Sequence, residues 1–576
     1  MKTALAILLR WSPGFPVQDS ADWSAAPWHW RGFLFRAHRS PWDFAAVLML
    51  GAAVLAAVLT YAHYGVPFDE DLQDNYGHLI VEWFRTFGVN HGALEYEDLY
   101  FYGGLFDSLA ALIDTYSPLG HWETRHLVNA LVGIFGVAGC WRLGRYLGGP
   151  AVGALSAAFL LTWPTWYGMM FLNPKDIPFA GATVWALYYI TRLSDEMPYP
   201  SRGVLVKLGL ALGAALATRI GGVLPVGYFG LVMLAHLAVG REPVVAKLRR
   251  GVRWGLQVVL PVVAIAWVVM VAFWPFAQVA PFSNPLAAFK HFGSFQPDID
   301  TLFFGREVSS AYKPLGYLPT YLTIKTPDVI LALLVAGLLM LPRWLLASMP
   351  VRVRLRWMAL GLSLVVPVAY ILITRPELYD AERHFLFLLP PLSVLAAVSA
   401  LALWRIAADY RRLFVLAAVG AGLVSQVVAL VTLHPYQYTY YNSLVGGLPG
   451  AFGMFEAEYW ASSVSEATDK LTKEILVHMG NQPMTVAVCG NEEGVMPKLP
   501  PNVKISDDWE HADFYLSTTR HRCDRDMVGK TVITIERQGV PFAVVKDVRE
   551  TNAINNAKAT AAATGAAAGS ASRVTN

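Results

Sequence analysis

The chain has 576 residues, of which 55% are hydrophobic and only 15% are charged, and its mean hydropathy is +0.42. This composition is far too apolar for a soluble enzyme of that length, so it indicates a polytopic membrane protein. The net charge of +3 says little about partners, because the placement of Lys and Arg matters more in membrane proteins than their sum. No basic patch typical of nucleic-acid binding is visible, so we expect no nucleic-acid partner.

The N-terminal stretch MKTALAILLRW resembles the start of a signal peptide. Its apolar run is short, however, Arg10 interrupts it, and no small-residue cleavage site follows at a suitable distance. We therefore expect the stretch to be retained, within a cytoplasmic N-terminal segment over residues 1–44.

Apolar segments near the length that crosses a bilayer, about 20 residues, recur along the chain from residue 45 onward. They predict a membrane domain over residues 45–433 with about 11 transmembrane α-helices. The predicted spans are 45–64, 126–147, 151–170, 178–194, 204–220, 222–239, 254–275, 328–346, 358–374, 385–404 and 413–433.

Basic residues set the expected orientation of these spans. With the N-terminus inside, the inside loops are rich in Lys and Arg, for example Arg249, Arg250 and Arg253 in one loop, whereas the longer outside loops hold fewer. An odd number of crossings then places everything after Leu433 on the outer side. The high alanine content and the compact outer loops favour a bacterial inner membrane, with a periplasmic active side.

Two predicted outer loops are long, residues 65–125 and 275–327. The first contains two segments with an apolar helical face, QDNYGHLIVEWFRTFG and LYFYGGLFDSLAALID. Such helices could lie in the membrane interface with the apolar side down. Ordinary packing of a loop subdomain explains the same periodicity, and the sequence leaves both interpretations open.

After the last span, residues 434–550 predict a small extracytoplasmic α/β domain. A helix is expected near 462–479, followed by the strand-like runs TVAVCG, DFYLSTT, TVITIE and FAVVKD. The tail over 551–576 is rich in Ala, Thr, Ser and Gly and lacks large apolar residues, so we expect it to be disordered.

The sequence contains three cysteines. Cys140 falls inside a predicted span, whereas Cys489 and Cys523 both fall in the outer domain. Two thiols in an oxidising compartment suggest a disulfide. Two free thiols are the alternative, because the sequence does not show whether the two Cα atoms approach each other.

Placing an ionisable side chain at membrane depth costs free energy, so each such residue is expected to have a pairing partner or a function. On the predicted outer side they stand at five span ends, and all five map to one face of the membrane. Carboxylates beside Lys and Arg suit a reaction in which a hydroxyl loses its proton while a phosphate leaves. The five places are Asp69 with Glu70, the run Asn173 to Asp176, Arg219, Arg375 with Glu377, and Arg383 with His384.

Each of these groups also has a purely structural interpretation, which the sequence leaves open. The acidic pair after the first span could simply begin a solvated loop. Lys175 and Asp176 could cap the next helix, which fits Pro178 near its start. Arg219 and Arg383 could be interface anchors whose long stems reach toward water.

The order of motifs resembles the GT-C class of membrane glycosyltransferases, within it the family of protein O-mannosyltransferases and bacterial aminoarabinose (lipid A) transferases. The likeness covers roughly residues 45–405. The matching pieces are PFDED in the first outer loop, RLGRYLGGPAVGALSAAFLLTWPTW across spans two and three, NPKDIPFA, LATRIGG, and ERHFLFLLPPLSVLAA.

The resemblance implies a glycosyltransferase that takes a sugar from a polyprenyl-phosphate donor and transfers it, with inversion, on the outer side. Its acceptor would be a glycolipid, a polysaccharide or a protein. By position, Asp69 is implied as the base, Glu70 as a helper and Asp176 as a second acid. The residues implied to bind the donor phosphate are Lys175, Arg219, Arg383 and His384.

Two departures from the family pattern limit what the resemblance implies. Residues 434–550 do not look like the C-terminal parts of either named subfamily. The acceptors used by those subfamilies therefore cannot be assigned to this chain. Some relatives place a divalent cation at the acidic loop, and Asp69, Glu70, Asp71 and Asp74 could supply oxygen ligands for Mg²⁺ or Mn²⁺. Their spacing matches no closed metal loop, so metal dependence stays open.

Two other functions remain alternatives at this stage. A lipid or solute carrier or flippase would also have intramembrane charges, although these normally mark a path at the bilayer midplane. A non-catalytic assembly or sensor protein would tolerate replacement of the acids in the first outer loop.

Overall fold

The structure is a computed structural model, and it describes residues 40–239, 242–294 and 299–552. The predicted N-terminal segment (1–44) and the predicted disordered tail (551–576) therefore lie almost entirely outside the described residues. The described chain is mostly helical and carries a small sheet near its C-terminal end. This confirms the predicted fold class of a helical membrane domain followed by an α/β domain.

Twenty α-helices occur among the described residues. They are α1 (Pro41–Thr60), α2 (Glu70–Arg85), α3 (Leu105–Asp114), α4 (His121–Gly148), α5 (Pro150–Leu161), α6 (Pro164–Leu172), α7 (Asp176–Glu196), α8 (Arg202–Leu216), α9 (Val223–Val239), α10 (Val244–Trp254), α11 (Leu260–Ala272), α12 (Pro275–Val279), α13 (Ser283–Ser294), α14 (Tyr317–Ile324), α15 (Asp328–Leu346), α16 (Val351–Thr374), α17 (Leu389–Ile406), α18 (Asp409–Thr432), α19 (Gly447–Ala451) and α20 (Ser463–Lys470).

Eight helical segments of the described chain are long and apolar enough to cross a membrane. They correspond to α1, α4, α9, α10 with α11, α15, α16, α17 with the 3₁₀ turn before it, and α18.

The other three predicted spans fall on helices that are shorter or more polar. Pro164 separates α5 from α6, because proline fits the first turn of a helix but interrupts its interior. The helix α8 has only 15 residues, and α7 is a buried helix with charged ends.

The helix α7 lies at the centre of the bundle, where nearly all of its residues are buried. It packs closely against α4, and Gly136 on α4 faces Gly181 on α7. A Cβ atom at Gly136 would lie 3.3 Å from the Cα atom of Gly181 and 3.0 Å from the ring of Trp166. Small residues thus let these two helices approach, as is common in membrane bundles.

The first long loop folds into α2 and α3, with 3₁₀ turns at Gly92–Leu94 and Leu99–Phe101 between them. Ile80 and Phe106 are buried between the helices and the bundle, as ordinary loop packing predicts. Other apolar side chains of the two helices are exposed, as expected for helices lying in the interface. The exposed ones are Phe84, Leu109, Leu112 and Ile113, and Phe87, just after the end of α2, is exposed as well.

The second long loop contains α12, α13 and α14 together with a hairpin of β1 (Asp300–Phe303) and β2 (Arg306–Ser309). The hairpin was not predicted from the sequence. Its backbone contacts the C-terminal part of the chain, since the Leu302 N–H donates to Glu456 Oε1 at 2.6 Å.

The C-terminal domain contains a five-stranded sheet in the order β4-β3-β5-β7-β6. Strand β3 runs parallel to β4 and β5, whereas β7 is antiparallel to β5 and β6. Cys489 and Cys523 form a disulfide with their Cα atoms 6.2 Å apart. The strands are β3 (Met484–Cys489), β4 (Val503–Ile505), β5 (Phe514–Thr518), β6 (Lys530–Arg537) and β7 (Val540–Asp547).

This C-terminal domain packs on the same end of the bundle as the first long loop. Ser465 on α20 accepts a hydrogen bond from the Val66 N–H at 3.3 Å. We call this end the site face. At the opposite end, Arg145 pairs with Asp43 at 2.6 Å and Arg356 pairs with Asp195 at 2.7 Å.

We predict that Gly136→Leu destabilises the bundle, because the added side chain must displace Trp166 or separate α4 from α7. Overpacking of this kind reduces the free energy of unfolding by about 1–3 kcal/mol. The midpoint of thermal unfolding in detergent measures the effect. Gly51→Leu is the matched control, since nothing lies within 4 Å of a Cβ atom at that position of α1. Equal midpoints for the two variants would contradict the close packing of α4 and α7.

Candidate active site

Asp69 stands in the short connection between the end of the first span and α2. The C-terminal domain holds the backbone of this connection. Trp460 O accepts from the Phe68 N–H at 3.1 Å, and the Asn491 amide donates to the carbonyls of Val66 and Pro67, each at 3.0 Å. The backbone directly before Asp69 is therefore fixed by residues up to 425 positions away in the sequence.

The Asp69 carboxylate accepts a hydrogen bond from Arg383 Nη1 at 2.7 Å. Its side chain is 39% exposed, whereas that of Arg383 is only 6% exposed. Burial raises the pKa of Asp69, but the positive charges of Arg383 and Lys175 outweigh burial and hold that pKa below its usual value. Asp69 is thus an ionised carboxylate that can be reached from outside.

The Arg383 guanidinium has several other partners besides Asp69, and these contacts fix its position. Its guanidinium lies 3.3 Å from the Asp380 carboxylate and over the rings of Tyr379 and Trp460, at 4.9 and 5.1 Å. Asp380 in turn pairs with Arg520 of the C-terminal domain at 2.8 Å. An ionic chain, Asp69–Arg383–Asp380–Arg520, therefore links the first loop to the C-terminal domain.

The NPKD turn places a second acid at the start of α7. The Asn173 side chain accepts from the Asp176 backbone N–H at 2.8 Å and donates to the Asp176 carboxylate at 2.9 Å. The other carboxylate oxygen pairs with Arg219. Asn173 thus stabilises the start of the helix, and Asp176 orients the guanidinium of Arg219.

Lys175 points away from the helix start, so it does not cap α7. Its ammonium lies 4.2 Å from the centre of the Tyr102 ring, and Arg219 lies over the same ring at 5.9 Å. When the Gln73 amide is oriented to satisfy both neighbours, it accepts from Lys175 Nζ at 2.9 Å and donates to Asp107 at 3.0 Å. Burial lowers the pKa of Lys175 to about 8, against the attraction of Asp69.

The structure therefore brings together most of the residues predicted for the site. Asp69 experiences the charges of Lys175, Arg219 and Arg383. With Asp176 paired to Arg219, and with Asp380 paired to both Arg383 and Arg520, four cations face three carboxylates. This cationic cluster carries an excess of positive charge, which suits a phosphate group. His384 lies beside it, with its ring 4.6 Å from that of Tyr379.

Glu70 does not join Asp69, although the two are adjacent in sequence. Its side chain is 1% exposed and accepts a hydrogen bond from His126 Nε2 at 3.0 Å. Asp74 turns toward a third set of partners, Arg125 and His121, both at 2.9 Å. The acids of the first loop point in different directions, so they do not form one oxygen-ligand site for Mg²⁺ or Mn²⁺.

Several residues of the site were missed by sequence reasoning. Asp380 lies three positions before Arg383, so proximity to the ERHF motif could have indicated it. Tyr102 lies in the aromatic run LYFYGG, whose pattern indicates helical periodicity and gives no sign of a cation-binding ring. Trp460, Asn491 and Arg520 carry no local signal, because they reach the site through the docking of the C-terminal domain.

Comparison with known proteins adds a likeness to solved structures. No family model matches the chain, and no curated protein matches it. ArnT from Cupriavidus metallidurans in the apo state is 15% identical with a TM-score of 0.47, over 87% of this chain and 97% of that chain. The same protein bound to undecaprenyl phosphate has the same identity and coverage and a TM-score of 0.44.

An archaeal protein shows a similar degree of likeness. The oligosaccharyltransferase of Archaeoglobus fulgidus tethered with an acceptor peptide is 11% identical with a TM-score of 0.44, over 80% of this chain and 63% of that chain. ArnT and this enzyme are both GT-C glycosyltransferases, the class that the sequence motifs resemble. At such identities and TM-scores, the likeness says nothing about the donor, acceptor or mechanism of this chain.

We predict that Arg520→Met destabilises the protein by about 3 kcal/mol, because it removes one partner of the buried Asp380 carboxylate. Thermal unfolding in detergent measures the loss. Arg522→Met is the matched control, since Arg522 lies two positions away and is exposed. Adding Asp380→Asn to Arg520→Met should recover part of the loss, because in Arg520→Met only Arg383 is left to balance the buried Asp380 carboxylate, and the amide removes that charge. If Arg520→Met and Arg522→Met unfold alike, the ionic chain does not stabilise the docked domain.

Proposed function

We propose that the protein transfers a sugar from a polyprenyl-phosphate donor to an acceptor hydroxyl at the site face of the membrane. The observation that carries this proposal is the partly exposed Asp69 carboxylate, fixed within a cluster that has an excess of positive charge. A base and a phosphate-binding group are thereby combined at the membrane boundary. There a lipid-linked donor and a water-borne acceptor can meet.

In this proposal the cationic cluster binds the phosphate of the donor. Lys175 and Arg219 present their charges over the face of Tyr102. Arg383 is nearly buried and paired with Asp69, so it adds its positive charge from behind these contacts rather than as a free donor. Asp176 keeps Arg219 in place. As the sugar–phosphate bond breaks, negative charge increases on the phosphate oxygens, and these cations stabilise it without reorganising.

Asp69 would act on the acceptor. Its carboxylate takes the hydroxyl proton while the acceptor oxygen forms a bond to the anomeric carbon, and the phosphate leaves with the bonding electrons. A single displacement inverts the configuration of the sugar. A carboxylate is a weak base near neutral pH, but a phosphate is a good leaving group, so positioning and charge neutralisation supply much of the rate.

Glu70 has a different role in this proposal from the one suggested by the family resemblance. Because it is buried against His126 and Arg125, it would anchor the start of α2 rather than contact the acceptor. The four acids of the loop also do not converge on a common cation. No step of the proposed reaction is therefore derived through Mg²⁺ or Mn²⁺.

We predict that Asp69→Asn lowers kcat at least 10²-fold, the typical contribution of a general base. Asn keeps the size of the side chain and its contact with Arg383 but takes up no proton. The assay presents radiolabelled polyprenyl-phosphate sugars one at a time to purified protein, with a membrane extract as the source of acceptor.

Asp71→Asn is the matched control for this assay, because Asp71 is close in sequence but lies outside the cationic cluster. It should keep near wild-type activity. Full activity of a correctly folded Asp69→Asn protein would overturn the role of Asp69. If wild type neither binds nor consumes any polyprenyl-phosphate sugar, the carrier interpretation takes precedence.

We further predict that kcat/KM for the donor falls above pH 8. The free protein binds phosphate with Lys175 protonated, and its lowered pKa of about 8 means that this charge is lost as the pH rises through that value. The ratio kcat/KM reports ionisation in the free enzyme, so a profile between pH 6 and 10 measures the effect. Lys175→Arg should remove the decline, because arginine stays charged throughout that range. An unchanged decline in Lys175→Arg would assign it to another group.

A further inference from the structure

A second cluster of ionisable side chains lies on the first long loop, away from the cationic cluster. It consists of Asp74 and His78, one turn apart on α2, Asp114 at the end of α3, and His121 at the start of α4. The two imidazole rings stack with their centres 6.0 Å apart. The histidines are 42% and 39% exposed, and the carboxylates 7% and 13%. The cluster is thus rigid at its base and open to water.

The potential ligand atoms are close enough to share one ion. Asp74, His78 and His121 each offer one ligand atom, and these atoms lie within 4.8 Å of one another. His121 Nε2 is 2.9 Å from Asp74 Oδ2, and His78 Nε2 is 3.6 Å from Asp74 Oδ1. A tetrahedral Zn²⁺ ion with ligands at about 2.0–2.1 Å requires ligand atoms roughly 3.3 Å apart. The two separations end on different oxygens of Asp74 and lie on either side of that value. With one ligand atom from each residue, the three atoms stay within 4.8 Å of one another.

Asp114 supplies the support that a metal-binding histidine normally has. Its carboxylate is 2.6 Å from His121 Nδ1. With that nitrogen donating its proton to Asp114, the Nε2 atom of His121 presents a lone pair toward Asp74 and His78. A carboxylate that orients an imidazole in this way is typical of zinc sites. The other oxygen of Asp74 is held by Arg125 Nη1 at 2.9 Å, so this ligand is also fixed.

The charge of the surroundings favours a cation. Arg125 is fully buried, and it lies within 4 Å of three carboxylates, those of Glu70, Asp74 and Asp107. Burial raises the pKa of Asp107 to about 7, and His126 bonds to Glu70, but Arg125 alone does not balance Asp74 and Asp114, which need further positive charge from a histidine or a bound ion. A divalent ion at Asp74 and the two histidines would supply the missing positive charge.

We propose that Asp74, His78 and His121 bind one divalent transition-metal ion of the Zn²⁺ type, with Asp114 as the positioning carboxylate. Two imidazoles and one carboxylate favour such an ion over Mg²⁺, which prefers oxygen ligands. The cluster borders a cavity of about 640 Å³ between the first loop and the C-terminal domain. The cavity leaves room for water to complete the coordination. The ion would tie α2 to α4, and this proposal does not depend on the proposed sugar transfer.

The main alternative is a protonated His121 that forms ion pairs with both aspartates and needs no metal. Titration of the full-length protein with ZnCl₂ distinguishes the two. The protein carries no histidine tag, is stripped with EDTA and dialysed, and is followed by calorimetry and elemental analysis. We expect one equivalent of Zn²⁺ per chain, with affinity falling as the pH drops from 7.5 to 5.5, since protons compete for the imidazoles.

Three variants assign the site. His78→Ala should weaken binding at least tenfold and leave the fold intact, because the side chain is 42% exposed. Asp114→Asn should weaken it about 10–100-fold, as expected for a carboxylate that orients a ligand. His91→Ala is the matched control, an exposed histidine of the same loop, and should bind as wild type does.

Substitution with Co²⁺ gives an independent measurement, because coordination by two imidazoles produces visible absorption bands that report the ligand set. These bands should appear in wild type and in His91→Ala, and should be lost in His78→Ala. The proposal is overturned if wild type binds much less than one equivalent. It is also overturned if His78→Ala binds Zn²⁺ and Co²⁺ as wild type does, because adventitious surface binding then accounts for the ion.

Discussion

The pairing of Asp69 with Arg383 is the interaction on which the rest of the site depends. Asp69 follows the first span, whereas Arg383 precedes α17, so their contact closes the bundle at the site face across 314 positions of sequence. It also contributes to the ionisation of Asp69, because burial raises the pKa of this carboxyl and the charges of Arg383, Lys175 and Arg219 together outweigh burial. One hydrogen bond therefore fixes the position of the proposed base and helps to keep it charged.

The C-terminal domain completes this arrangement. It holds the backbone before Asp69 through Trp460 and Asn491, and it holds Arg383 through Asp380 and Arg520. The backbone at Gly65 also lies very close to the C-terminal domain. A Cβ atom at that position would be 2.1 Å from the Ser462 carbonyl oxygen, so only glycine fits there. A reactive group on a loop needs such support, because small displacements of catalytic groups greatly reduce rate. The domain is thus a structural part of the site, whatever acceptor it meets.

Eight of the eleven predicted spans fall on helical segments of the described chain that are long and apolar enough to cross a membrane, because a long apolar run has few alternatives in a bilayer. The sequence is less informative where the local pattern is weak. The strand β4 has three residues and lacks a clear alternation, and the hairpin of β1 and β2 depends on contacts with the distant Glu456. Pro164 could have indicated the break between α5 and α6, but hydropathy alone runs through it.

The same distinction applies to the site. Asp69, Lys175, Asp176, Arg219 and Arg383 were predicted because charges next to apolar runs are conspicuous, and the structure places them together. The different orientation of Glu70 was not predictable, since adjacent residues at a helix start point in directions that only the packed bundle determines. Trp460, Asn491 and Arg520 likewise depend on how two separately folded parts of the chain meet.

The central claim is that the cationic cluster binds a lipid-linked phosphate. The most direct test compares the affinity of the detergent-solubilised protein for undecaprenyl phosphate with its affinity for undecaprenol, which has the same chain and no phosphate. We expect wild type to bind the phosphate at least tenfold more tightly, and we expect this preference to be lost when Lys175 and Arg219 are both replaced by Gln. Equal affinity for the two lipids in wild type would contradict it.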